Sequence, residues 1–236
     1  MRAEEAKGPR EGCVIAPLVW AVFSSRAARS AKTGLDRAAG AVGLLVITPV
    51  ILPAMIAVRI GFGKPVFFIQ ERPGLAGRPF KLVKLRSMKD SRDGAGRLLP
   101  DAQRMTRLGH FLRSTSIDEL SQLWNVARGD MSLVGPRPLL MQYLERYTPE
   151  QSRRHLVRPG ITGWAQVNGR NALSWEEKLA LDVWYVDNWN LLLDVKILAK
   201  TALQVIRRQG ISQDGSATMP EFLGSKAEVA TGRGRR

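Results

Sequence analysis

The stretch "RSTSIDEL", residues 113–120, sets two carboxylates side by side, Asp118 and Glu119, at the expected start of a helix. Adjacent acids there offer a nucleophile and a ligand for a divalent cation, beside N–H groups suited to holding phosphate. The same spelling has a structural explanation. Ser116 with Glu119 three residues on fits the capping box, in which the serine hydroxyl and the glutamate side chain satisfy each other's backbone N–H groups. Acids in a first turn are also stabilised by the positive end of the helix without any catalytic role. The pattern alone leaves both explanations standing.

The surroundings of the pair are basic. Lys84 and Arg86 close an expected strand, Arg104, Arg107 and Arg113 lie just upstream, and Arg137 sits in "GPRP", Arg154 and Arg158 in "RRHLVRPG" and Arg170 in "NGRN". Arginine flanked by glycine or proline is held on restricted backbone, which suits two-pronged clamping of phosphate. Taken singly, each is equally a solvated surface charge. The 236 residues carry 36 Lys plus Arg against 21 Asp plus Glu, a net charge of +15, so the natural partners are anions. The single cysteine, Cys13, excludes an intrachain disulfide and a cysteine-cluster metal site, and His110 and His155 are too few for zinc. A charge of +15 also suits a non-enzymatic nucleic-acid or lipid binder. Nucleic-acid binders commonly interleave basic groups with exposed aromatics, whereas these lie in Gly/Pro loops around one acidic pair, so no nucleic acid is expected as partner.

The elements that must position these groups begin with an uncharged run between Arg37 and Arg59 that contains "LLVITPVILPAM". It approaches the ~20 residues that span ~30 Å of hydrocarbon. Pro49 and Pro53 interrupt it, and Thr48 offers a hydroxyl to freed carbonyls. Basic residues flank both ends, which assigns both to the cytoplasmic side. A re-entrant helix–break–helix over Ala38 to Val58 satisfies that, each arm of roughly ten residues reaching ~15 Å; a proline-kinked span is the alternative. Residues 1–30 read as an extension of uncertain structure. "KPVFFIQERPG" and "FKLVKLRSM" read as strands, "KDSRDGAGRLLP" as a loop, and Ala102 to Leu112, Ile117 to Ala127 and Leu139 to Tyr147 as helices. "GDMSLVGPRP" and "VRPGITGWAQVNGRN" read as turn and loop. From Ser174 the pattern is helical. Leu191, Val195, Leu198, Ala202 and Val205 share one face, with Trp175, Trp184, Tyr185 and Trp189 just before, a composition suited to an anionic membrane surface or, for the aromatics, to the core. The end of the chain, 225–236, reads as a flexible basic tail.

Three stretches, "KPVFFIQERPGLAGRPFKLVKLRSM", "RSTSIDELSQLWNVARGDMSLVGPRPLL" and "RHLVRPGITGWAQVNGRNALSWEEKLALDVWYV", resemble the bacterial sugar transferase family, the monotopic polyprenyl-phosphate phosphoglycosyl transferases, and most closely its small bacillosamine-phosphate transferase type. The resemblance implies a mainly helical α/β fold: a monotopic membrane protein with a re-entrant hairpin at 31–60, interfacial amphipathic helices and a small cytoplasmic catalytic domain at 61–224. It implies transfer of a sugar-1-phosphate from a UDP-sugar, expected to be N-acetylated, to a polyprenyl phosphate with release of UMP, at the cytoplasmic face of the bacterial inner membrane. On that resemblance Asp118 is the nucleophile that carries an aspartyl-phosphosugar, Glu119 holds Mg²⁺, and Lys84, Arg113, Arg137 and Arg170 line the phosphate path. Arg86 and Arg158 are further candidates for it, and Thr48-Pro49 stands where the family has a Ser-Pro helix break.

Overall fold

The computed structural model describes residues 26–169, 173–206 and 221–225. Its longest element is α1, Arg26–Phe62, which begins and ends beyond the expected 31–60 and contains both prolines. The expected break at Thr48-Pro49 is not an interruption of helical structure. Pro49 leaves the Leu45 carbonyl without its helical donor, and the Thr48 hydroxyl donates to the Leu44 carbonyl at 2.8 Å, an i→i−4 bond of the kind that bends a helix without ending it. The helix is long and apolar enough to cross a membrane, and only 6% of its most apolar window is buried.

Both ends of that exposed run are nevertheless fastened to the rest of the protein. On the N-terminal side the Ser132 hydroxyl donates to the Asp36 carboxylate at 2.6 Å, and Lys32 reaches Asp194 at 2.6 Å. Asp194 also accepts from the Tyr185 hydroxyl at 2.7 Å and the Trp189 indole at 3.1 Å, so a buried carboxylate is fully partnered. On the C-terminal side Val58 is fully buried and the Phe62 carbonyl accepts from Arg86 at 3.2 Å.

The two expected strands form an antiparallel hairpin, β1 (Phe67–Pro73) and β2 (Pro79–Leu85), with Phe67 opposite Leu85. The next expected helix is split into α2 (Asp101–Arg104) and α3 (Arg107–Ser114), because Met105 is extended and Thr106 starts a new helix by accepting the Gly109 N–H. The segment expected to be one helix from Ile117 is a 3-10 turn, Ile117–Gln122, followed by α4 (Leu123–Arg128). Residues 141–146, expected as helix, are also 3-10.

The turn-rich stretches contain regular structure the sequence pattern hides. β3 (Ser132–Val134) and β4 (Gly160–Thr162) pair in parallel, with α5 (Pro149–Ser152) between them and α6 (Trp164–Val167) after. Three-residue strands carry no usable alternation, and the glycines that suggest loop are needed for close approach: a Cβ on Gly160 would lie 2.1 Å from the Gly135 nitrogen. The last helices are α7 (Trp175–Asn188) and α8 (Leu191–Ile206). Val134, Val167, Tyr185, Trp189, Leu193 and Ile197 make the largest core cluster.

The amphipathicity of α8 is inverted. Its buried positions include Leu193, Asp194 and Ile197, while Val195, Leu198, Ala202 and Val205, on the face picked out by the apolar pattern, are exposed. Of the aromatic group before it, Tyr185 and Trp189 belong to the core and Trp175 packs on Tyr143 and Phe222. Trp184 stays 42% exposed and stacks on Trp164.

The docking of α1 on α4 gives a paired prediction. A Cβ on Gly40 would stand 2.8 Å from the Ala127 nitrogen, whereas one on Gly34 would meet nothing within 4 Å. Gly→Ala in a helix interior gains about 1 kcal/mol in propensity. Gly34→Ala should therefore raise the melting temperature in detergent, and Gly40→Ala, against the same propensity, should lower it.

Candidate active site

β2 is held on its outer edge by side chains in place of a third strand. Asn125 accepts from the Val83 N–H at 3.1 Å and donates to the Lys81 carbonyl at 2.7 Å, while the Ser121 hydroxyl donates to the Val83 carbonyl at 3.1 Å. These bonds satisfy strand groups that would otherwise be left open. They also lock the 3-10 turn bearing Asp118 and Glu119 against the strand bearing Lys84.

Ser116, which begins that turn, is left-handed at φ 55° and makes no side-chain cap. Its carbonyl, not its hydroxyl, meets the Glu119 N–H, at 3.1 Å. The capping-box expectation is thus corrected, for a physical reason: a 3-10 turn closes through the backbone carbonyl three residues back, and the Glu119 carboxylate is drawn elsewhere by two cations. Lys84 donates to Glu119 Oε1 at 2.8 Å; Arg137 donates to Oε1 at 2.5 Å and to Oε2 at 3.3 Å. Burial pushes the Glu119 carboxyl up, but Arg137 and Lys84 outweigh it, through charge and hydrogen bonds, and hold it well below the usual carboxylate range.

Asp118 has the opposite environment. It is 7% exposed, and among the described residues no group donates a hydrogen bond to its carboxylate. Burial and then the negative charge of Glu119 push its carboxyl up to about 6, against the weaker pull of Lys84, Arg113 and Arg137. Two neighbouring carboxylates are therefore driven apart. Glu119 is a fixed anion, and Asp118 is ionised near neutrality, more basic than an ordinary carboxylate and free to form a bond.

The other expected site residues fall into two groups. Arg113 stands close enough for its charge to act on Asp118, held by the Ser87 hydroxyl at 3.1 Å and the Met88 sulfur at 3.0 Å. Arg86 instead donates to the carbonyls of Phe62, Lys64 and Met88, fastening the end of α1 to β2. Arg158 donates to the Gly129 carbonyl at 2.8 Å and the Thr33 hydroxyl at 3.0 Å, at the foot of α1. Arg170 lies outside the described residues. The site also depends on two residues in a supporting role, Arg154, read from the sequence only as one of the loop arginines, and Asp182. Arg154, 2% exposed, pairs with Asp182 at 2.7 Å and donates to the Arg137 carbonyl at 2.7 Å, fixing the backbone from which Arg137 reaches Glu119. Asp182 carries no motif signal, being one acid on the buried side of α7.

The elevated carboxyl of Asp118 predicts a stability effect. Folding raises its affinity for a proton, so its contribution is fully present below the ordinary value of 3.8 and is lost as pH rises through about 6. Above that, burying the charge costs up to about 3 kcal/mol. Asp118→Asn should melt higher than the parent at neutral pH, with the gain shrinking to nothing towards about pH 4.

Comparison with known proteins gives the family. The family described as bacterial sugar transferase matches residues 27–208. An uncharacterized sugar transferase of Bacillus subtilis, EpsL, is 59% identical over 186 residues, 78% of this chain and 92% of that one. A UDP-galactose-lipid carrier transferase of Erwinia amylovora is 42% identical over 209 residues, 79% of this chain but 43% of its own length. A UDP-glucose:undecaprenyl-phosphate glucose-1-phosphate transferase of Caulobacter vibrioides is 41% identical over 182 residues, 72% of this chain and 67% of that one. The chain thus spans nearly all of the Bacillus relative and less than half of the Erwinia one. The matched segment runs from the foot of α1 past the end of α8 and takes in Lys84, Asp118, Glu119 and Arg137, and the chain belongs to the bacterial sugar transferase family.

Proposed function

We propose that the protein transfers a sugar-1-phosphate from a UDP-sugar to a polyprenyl phosphate through a covalent phosphosugar on Asp118. The observation that carries this reading is the contrast within the acidic pair: Glu119 takes both cations and Asp118, buried beside it, takes none. In the first step an Asp118 oxygen attacks the phosphorus that bears the sugar. An aspartyl–phosphate bond forms, the bond to the nucleotide phosphate oxygen breaks, and UMP departs with the electron pair. In the second step an oxygen of the polyprenyl phosphate attacks the same phosphorus and the carboxylate leaves. Lys84, Arg113 and Arg137 offset the negative charge that gathers around the reacting phosphorus.

Mg²⁺ fits this donor set. Oε1 of Glu119 takes both short contacts, whereas Oε2 takes only the 3.3 Å one from Arg137 and keeps lone pairs for a cation. Mg²⁺ binds through one or two carboxylates together with substrate phosphates, so a large cluster of acids is not required. Bound there, it would neutralise the diphosphate of the donor.

The acceptor sets the location. Both ends of the apolar run in α1 are tied to one folded body, through Asp36 and Ser132 on one side and Phe62 and Arg86 on the other. A straight crossing would carry one of those ends to the far face of the membrane. Entry and return on one side, the cytoplasmic face of a bacterial inner membrane, keeps both contacts. The outward apolar face of α8 and the exposed Trp184 suit the same interface. An N-acetylated donor is the finer reading favoured by the resemblance; the relatives named for galactose and glucose make plain hexoses its competitors.

Incubation with the right UDP-sugar and Mg²⁺, without lipid, should leave a phosphosugar adduct on the Asp118 peptide by intact and peptide mass, and polyprenyl phosphate should discharge it. EDTA should prevent the adduct and Mg²⁺ restore it. Asp118→Asn should form none, and Glu119→Gln should form it slowly. The same assay across a panel of UDP-sugars reads the donor preference. An adduct persisting in Asp118→Asn would remove the residue from its role.

Topology has its own test. In a Cys13→Ser background, cysteines replacing Gly34 and Lys64 should react with an impermeant thiol reagent from the same side of an intact inner membrane. Labelling from opposite sides would replace the re-entrant path with a crossing.

A further inference from the structure

Arg72 carries a charge that nothing described in the protein balances. Its Nη2 donates to the neutral amide oxygen of Gln70 at 2.6 Å, and its Nε is buried without a partner. Among the described residues no carboxylate lies within ion-pair distance of it. The phenols of Tyr143 and Tyr147 lie near it, but neither is a carboxylate. The nearby full charge acting on it is another cation: burial and then Arg137 both work against the charged form of Arg72, which as a guanidinium stays charged.

The hairpin places this arginine in line with the site. Phe68 is opposite Lys84, Gln70 opposite Leu82 and Arg72 opposite Phe80, so Arg72 and Lys84 project from the same face. Four residues of strand separate those levels, about 13 Å. Arg137, which clasps Glu119 beside Lys84, stands close enough to Arg72 for its charge to act on it, and it lines a cleft with Pro73, Pro136, Pro138 and His155 at the end of that strand. The cations Lys84, Arg137 and Arg72 therefore occur together on one side of the hairpin. The first two share the Glu119 carboxylate. The third has no counter-ion, although Arg137 makes only two hydrogen bonds to Glu119 and a guanidinium has five donors.

A half-buried cation held beside another is unfavourable in the protein alone and becomes favourable when an anion sits between them. Two guanidiniums present a donor geometry that matches phosphate oxygens. We propose that Arg72 is a phosphate-binding residue, forming with Arg137 a second anion subsite next to the Glu119 clamp. Its ligand is a phosphate carried either by the nucleotide or by the polyprenyl lipid. The assignment of those two sources rests on the transferase reading, whereas the phosphate chemistry rests on the arginines.

The test measures binding, without turnover, in the full-length protein in mixed micelles. Affinities for UMP and for undecaprenyl phosphate are compared in the parent, Arg72→Gln and Arg72→Lys, alongside the melting temperature of each ligand-free protein. Arg72→Gln should weaken one of the two ligands by about tenfold or more, the scale of a charge-assisted bond. Arg72→Lys, which keeps the charge but not the fork, should fall between. The ligand-free Gln variant should melt no lower than the parent, because an unbalanced charge has been removed. Loss confined to UMP assigns the subsite to the nucleotide, and loss confined to undecaprenyl phosphate assigns it to the acceptor. Unchanged affinity for both overturns the proposal, as does a lowered melting temperature in the Gln variant with no weakening of either ligand. Should the Gln variant not fold, the Lys variant carries the same comparison. A parent that binds UMP yet never forms an adduct would sink the covalent transfer while leaving the Arg72 result intact.

Discussion

The clasp of Glu119 between Lys84 and Arg137 organises the site around it. A carboxylate with two cations in a partly buried place is stable only when the geometry is held well, because each charge has lost much of its water. Lys84 is therefore on a hairpin strand whose outer edge is pinned by Ser121 and Asn125. Arg137 projects from a Pro-flanked turn whose carbonyl is bound by Arg154, itself paired with Asp182 in the interior. With Glu119 using the nearby positive charge, Asp118 is left buried, more basic than an ordinary carboxylate and, among the described residues, without a hydrogen-bond donor. The difference between the two acids is a property of their surroundings, not of their order in the chain.

This arrangement explains why the chemistry was only half visible in the sequence. The adjacency of Asp118 and Glu119 and the arginine-rich loops could be read directly, and so could Lys84 at the end of a strand. The capping box could be read as well, and it was misleading. Whether Glu119 turns back to a backbone N–H or outward to Arg137 is decided by a left-handed Ser116 and by a side chain eighteen positions on, which no local spacing records. Arg86 and Arg158 show the converse. Their setting suggested phosphate, yet their donors close the joints around α1, because a guanidinium with five donors serves equally well to bind exposed carbonyls.

The elements follow the same division. The hairpin was legible because seven-residue strands alternate and end in a turn. β3 and β4 were not, since three residues with glycine among them look like loop. α8 was legible as a helix, but the direction of its faces was not. Its interior side is set by Asp194, which must meet Lys32, Tyr185 and Trp189, and this long-range demand rotates the apolar residues outward.

The joint at Asp194 and Asp36 bears on how the molecule could be taken apart. Lys32 and Asp36 are on α1, while Asp194 and Ser132 belong to the catalytic body, so the apolar helix is not an interchangeable anchor on a self-sufficient enzyme. A fragment lacking it would keep an interior carboxylate with no counter-ion and would bare Val126, which is fully buried. Modular trimming to a water-soluble catalytic fragment would remove part of that fragment's own interior, and a transplanted anchor from another protein would have to bring a lysine and an aspartate one helical turn apart.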